Sequence, residues 1–325
     1  MTSRPHTFGP IGYAERPWRR DPHDVPPGGD IYQATPEERA AVVAAARECG
    51  ITLFHAAHER EAVSLGDSLR RLGLTTGLTL STTDGDALDR CPDTEGGAFD
   101  AVQRAIARKK HLLGVGHLDI FSLYDIRRDT HTPARLAGAK RALDAARAAG
   151  DIGQIGATCC GDYDALADMI ETGQWLPEWA AVRFCWADTR ATTRLVPVCQ
   201  EHNIPVMATQ TFAWAGGVSF TRFPNTWRLR NLTRNFTGIS AGQAHLCWIL
   251  SQPGISGALV SMQTAEQVRE NVAAAQDGDV PPGIESMLAQ FMAAVLGTTE
   301  GWQGLREDEQ WEVRAAAAAY LEGGG

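Results

Sequence analysis

Between residues 35 and 276 short apolar runs alternate with longer stretches of helical period, the mark of βαβ units wound into a parallel sheet. Thr35-Pro36-Glu37-Glu38 reads as a capping box with proline at the first helical position, and Gly50 closes that helix. A strand at 51–55 follows at once. Helices at 61–72, 98–113, 133–149, 163–172, 191–202, 240–252 and 265–275 then alternate with strands at 76–82, 117–123, 154–158, 180–184, 205–209 and 255–260. Ala98, Val102 and Ile106 carry the helical spacing in the second of these helices. Residues 216–239 read as a long loop containing Arg and Trp, and two more helices are expected near 283–296 and 305–321. One domain results, with an N-terminal extension (1–34), the alternating unit (35–276) and a helical tail packed on it (277–325).

At 325 residues the chain lies within the range of a single (β/α)8 barrel and can bury a core without disulfides. A net charge of −9 disfavours contact with nucleic acid or an anionic membrane surface. No 18-residue apolar run is present, and the polar stretch 1–27 lacks the apolar segment of a secretory signal. The seven cysteines form no Cys-x-x-Cys pair, so they read as reduced thiols and the expected location is cytoplasmic. A small-molecule substrate is the expected partner, and a homo-oligomer is compatible with the composition.

Several segments resemble the aldo-keto reductase superfamily. Gly150-Asp151-Ile152-Gly153-Gln154-Ile155-Gly156 is similar to its glycine-flanked strand, and Leu118-Asp119-Ile120-Phe121 to its Asp-Leu-Tyr motif. Leu195 to Val206, Ala215-Gly216-Gly217, Ala241 to Gly254, and Glu266 to Asn271 resemble further family segments. The resemblance implies a (β/α)8 TIM barrel. It also implies a tyrosine that protonates a carbonyl, a lysine and an aspartate that tune it, a histidine that orients substrate, and NADPH as hydride donor.

At the matching positions this chain has other residues. His55 stands at the aspartate position, Arg60 at the tyrosine, Thr83 at the lysine and Tyr124 at the histidine. The only lysines, Lys109, Lys110 and Lys140, fall in expected helices, so none is expected near a strand end. At the cofactor positions Thr158, Cys159, Ala181 and Thr209 replace the nicotinamide contacts, and Ser261 and Gln267 replace the cations for the 2′-phosphate. Gly216, Gly217, Glu270 and Asn271 survive as vestigial cofactor positions. Losing two charge-assisted contacts weakens phosphate binding by roughly two to four orders of magnitude. The expectation is therefore no cofactor, although weak NAD(P) binding stays compatible with the surviving positions. No metal site is expected.

Barrel enzymes gather reactive groups at strand C-termini. His55 and Tyr124 are expected to face one another there as base and acid, with Arg60 or Arg127 holding a developing negative charge. His58, Cys159, Arg183, Trp186 and Trp214 are expected to line the substrate pocket. The leading expectation is a repurposed enzyme doing nicotinamide-independent acid–base chemistry (dehydration, isomerisation, cyclisation or elimination) on a small organic substrate. One alternative is an NAD(P)H-dependent reductase with a relocated proton donor. Another is a non-catalytic binding or regulatory barrel.

Overall fold

The computed structural model describes residues 9–15, 34–185, 188–211 and 241–277. Eight parallel strands close into a barrel: β1 (Ile11–Ala14), β2 (Leu53–Ala56), β3 (Thr79–Thr83), β4 (Leu118–Leu123), β5 (Ile152–Cys159), β6 (Trp179–Arg183), β7 (Val206–Thr209) and β8 (Ile255–Ser261). Around it lie α1 (Pro36–Glu48), α2 (Glu59–Leu72), a short α3 (Ala87–Arg90), α4 (Glu95–Leu113), α5 (Pro133–Ala148), α6 (Tyr163–Glu171), α7 (Leu195–Glu201), α8 (Ala241–Ser251) and α9 (Ala265–Asp277). Seven strands and eight of the helices fall where the periodicity places them. The two tail helices, Trp186, Trp214 and the Gly216-Gly217 turn lie outside the described residues. Among those described, no helix is long and apolar enough to cross a membrane.

The caps explain several boundaries. Thr35 accepts from the amide of Glu38 while the Glu38 carboxylate accepts from the amide of Thr35, so the capping box of α1 is reciprocal. Thr94 and Thr132 cap α4 and α5 more simply, their hydroxyls accepting from the amides of Gly97 and Arg135. Gly73 and Gly114 end α2 and α4 in the left-handed conformation that a Cβ disfavours.

The barrel also corrects the expected domain boundaries. Its first strand, Ile11–Ala14, falls inside the stretch taken as an N-terminal extension and pairs with both β2 and β8. Only four residues long, it carries Gly12, where a Cβ would run into Leu259 and Leu53 across the barrel interior. A glycine required by close packing weakens the very pattern that marks a strand.

Two apolar layers form. Leu53, Ile120, Trp179, Ala181, Met207 and Leu259 fill the barrel interior. A larger layer, including Phe54, Phe121, Leu65, Leu143 and Ile170, joins the outer sheet surface to the helices. A buried network ties the ends together. The Arg39 guanidinium on α1 donates to Glu15 just after β1 (2.8 Å) and to the Met262 carbonyl after β8 (3.2 Å). Glu15 also accepts from the Tyr13 hydroxyl (2.6 Å) and from Ser64 on α2 (2.9 Å).

Candidate functional site

The C-terminal ends of β2 to β5 are stitched together by polar contacts. The Ala57 carbonyl, just past β2, accepts from the Thr83 hydroxyl at 2.9 Å and from the Lys109 ammonium at 2.5 Å. Asp84, just past β3, accepts from the Tyr124 amide at 2.7 Å. Asp125 donates its amide to Thr158 (2.7 Å) and accepts from the Cys160 amide (2.9 Å). Asp125 holds φ at 45°, a left-handed conformation at the rim where its side chain bridges two strand ends.

This geometry corrects the expectation about lysine. Lys109 sits on α4, yet its ammonium reaches the strand ends and shares an acceptor with Thr83. It is only 3% exposed, and burial pulls its pKa down to about 8. Asp84, 6% exposed, is pushed up to about 8 by the same cause. Burial thus disfavours the charged form of both groups: near pH 7 the carboxyl favours its protonated form while the ammonium keeps most of its charge.

His55 does not face Tyr124 as a pair. Its Nδ1 lies 3.0 Å from the Ser81 hydroxyl, and its ring meets Trp179 edge-on, centroids 6.5 Å apart. The Trp179 indole donates to Ser122 at 3.1 Å, and Gly156 leaves the room that ring needs. Burial first, then the neighbouring Lys109 and His58, lowers the His55 pKa to about 3. A histidine held neutral in this way is a hydrogen-bonding core group rather than a base working near neutral pH. The ring that packs against Tyr124 is His58, at the N-cap of α2, with centroids 5.2 Å apart.

The remaining expected residues separate. Arg60 is exposed in the first turn of α2. Arg127, expected to hold substrate charge, is committed to Asp89 (2.8 Å), Asp125 (3.4 Å) and Asp129 (3.6 Å), which neutralise it. Cys159 and Cys160 are buried, and burial raises both thiols, Cys160 to about 12, so neither is a thiolate nucleophile. Arg183 donates to Gln210 at 2.8 Å and lies 3.9 Å from Asp188, which also accepts from the Tyr163 hydroxyl at 3.1 Å. Asn271 is buried on α9 and Glu270 is half-buried.

Three residues were missed by sequence reading. Asp84 directly follows β3, so the strand-end rule applied there would have found it. Lys109 continues the buried stripe of Val102, Ile106 and Leu113 along α4, and a lysine on a core-facing position is itself a signal. Trp179 is the first residue of β6, one position before the strand expected at 180–184, and no role is assigned to it from sequence.

The histidines give a pH prediction. Burial lowers His55 to about 3 and both His131 and His245 to about 4. Below about 6.5 the unfolded chain binds protons that these folded histidines refuse, so stability falls as pH drops from there towards 4. Each contributes about 1.4 kcal/mol per pH unit in that window. Asp84 acts in the opposite sense, adding stability as pH falls from 8 towards 4, but it is one group against three. Urea unfolding at pH 7 and pH 5 should show a clear loss at pH 5, and equal midpoints would refute this.

A closed parallel barrel with its titratable groups collected at strand C-termini defines a (β/α)8-barrel enzyme fold. The Aldo/keto reductase family model matches residues 90–279, and the chain belongs to that family. It is similar in structure to an aldo-keto reductase from Klebsiella pneumoniae in complex with NADPH, with 20% identity, a TM-score of 0.64, and 90% of this chain and 95% of that one covered. A second aldo/keto reductase from the same organism, in complex with NADP and acetate, shares 23% identity at a TM-score of 0.61, with 88% and 93% covered. At such identities the likeness is one of fold. No curated protein sequence matches the chain significantly. Membership of a reductase family overturns the expectation of a nicotinamide-independent lyase or isomerase.

Proposed function

We propose that this chain is an NAD(P)H-dependent carbonyl reductase whose proton donor has moved from strand two to Tyr124 at the end of β4. The two similar Klebsiella structures hold NADPH and NADP, and with the family match they replace the expectation of no cofactor. The observation that carries the reading is the convergence of Tyr124, His58, Asp84 and Lys109 at the ends of β2, β3 and β4. The residues around β8 fit the adenosine end of a dinucleotide. The N-terminus of α9, capped by Thr264 at 3.2 Å from the Gln267 amide, lies just past β8 and favours an anion. Ser261 would stand beside it, and Glu270 and Asn271 would hold the adenine.

A reduced nicotinamide supplies hydride to a carbonyl carbon when bound. The chain's part is to hold the substrate and deliver a proton to the carbonyl oxygen, for which Tyr124 is the donor. The Lys109 ammonium, held on the Ala57 carbonyl, adds positive charge near the oxygen where negative charge develops. Its position beside Thr83 places a cation at the end of β3 without a lysine on that strand.

Binding of NADH and NADPH, followed by fluorescence, tests the reading together with turnover of nitrobenzaldehyde. Binding of neither nucleotide overturns it. Because Ser261 and Gln267 carry no charge, NADH should be preferred over NADPH. Converting them together, Ser261→Lys with Gln267→Arg, should raise NADPH affinity by roughly two orders of magnitude and leave NADH nearly unchanged. An equal gain for both nucleotides would place the 2′-phosphate elsewhere.

A further inference from the structure

A cavity of about 560 Å³ opens beside the barrel mouth, between the turn after β3, α3, α4 and the first turn of α2. Asp84 and Lys109 stand in its wall, each more than nine-tenths buried. One Asp84 oxygen accepts from the Tyr124 amide, while Oδ2 is buried with no hydrogen-bond partner among the described residues. A buried polar atom in that state carries a free-energy cost that a ligand group would remove. Its carboxyl is pushed up to about 8, so at neutral pH it holds a proton and can donate.

The rim is cationic in a chain of net charge −9. Arg90 and Arg108 reach the cavity but are neutralised by Asp86 and Glu59. Arg104, one turn before Arg108 on the same face of α4, is exposed and has no carboxylate partner among the described residues. One guanidinium is therefore left to take one negative charge. Glu59 and Asp86 in the same wall oppose a phosphate dianion, and Ala101 and Ala105 offer a short apolar surface.

We propose that this cavity binds a small hydroxy or keto acid, its carboxylate paired with Arg104 and its hydroxyl or carbonyl oxygen meeting Asp84 and Lys109. Guanidinium matches carboxylate geometry with two parallel hydrogen bonds, and a neutral carboxyl beside an ammonium suits an uncharged oxygen. The site is continuous with the rim, because Asp84 and Lys109 also hold the Tyr124 amide and the Ala57 carbonyl. It shares Asp84 and Lys109 with the proposed reductase site, but its test involves neither nucleotide nor turnover, so the two readings fail separately.

The test is thermal unfolding of the full chain with sodium lactate as probe. Methyl lactate, sodium chloride at matched ionic strength, and inorganic phosphate serve as comparisons. Lactate should raise the melting temperature saturably, methyl lactate and chloride should not, and phosphate should do less. Arg104→Glu, an exposed change that leaves the ligand-free melting temperature in place, should weaken lactate at least about 10-fold. The proposal is overturned by a flat lactate response, an equal shift with methyl lactate or chloride, a larger one with phosphate, or undiminished binding in the Arg104 variant.

Discussion

Tyr124→Phe should lower kcat for carbonyl reduction by roughly 10²–10⁴-fold, the usual contribution of a positioned acid. The substitution removes the hydroxyl and keeps the ring. The ring contact with His58 and the bond from the Tyr124 amide to Asp84 do not use the hydroxyl, so both survive the substitution, and nucleotide binding measured beside kcat separates a lost proton donor from a disturbed site. The other described tyrosines are poor candidates: Tyr13 donates to Glu15 and Tyr163 to Asp188, both inside buried networks. A loss in kcat with unchanged KM would show an interaction made in the transition state. Full activity in the variant would remove Tyr124 as donor and with it the reading of a relocated acid.

Arg39→Ala should cost about 3–5 kcal/mol of stability, because it leaves a buried carboxylate without its counter-charge. The side chains of Arg39 and Glu15 are 2% and 0% exposed, so water cannot replace the lost partner. The loss should fall on barrel closure, since Glu15 and Arg39 join β1 to α1, α2 and the end of β8. A double change, Arg39→Met with Glu15→Leu, should recover much of that loss, since no charge is then stranded. Urea unfolding of the three variants decides the matter. A single-variant loss below about 1 kcal/mol would mean that the pair is solvated.

Much of the fold was legible because its determinants are local. A capping box needs four residues, a helix face needs a turn or two, and a buried parallel strand shows itself as an apolar run. These placed α1, most other helices and seven strands. β1 escaped because Gly12 answers to Leu53 and Leu259, residues distant in sequence. The short α3 escaped because four residues carry no period.

The site was legible only in part. Position in the chain put His55, His58, Tyr124 and Cys159 at strand ends, and the structure places them there. What each can do depends on its surroundings. His55 and His58 are three residues apart, yet one is sealed against Trp179 and held neutral while the other packs on Tyr124 at the rim. Arg127 carries the charge expected of it but spends that charge on three aspartates. From the sequence alone came the (β/α)8 architecture, the family and the residue types standing at the mouth. Tertiary structure alone decided that a lysine from α4 reaches the end of β3, that Asp84 keeps its proton, and that His55 loses its own. Those outcomes follow from burial and from charges brought together across the fold, and both depend on distance in space.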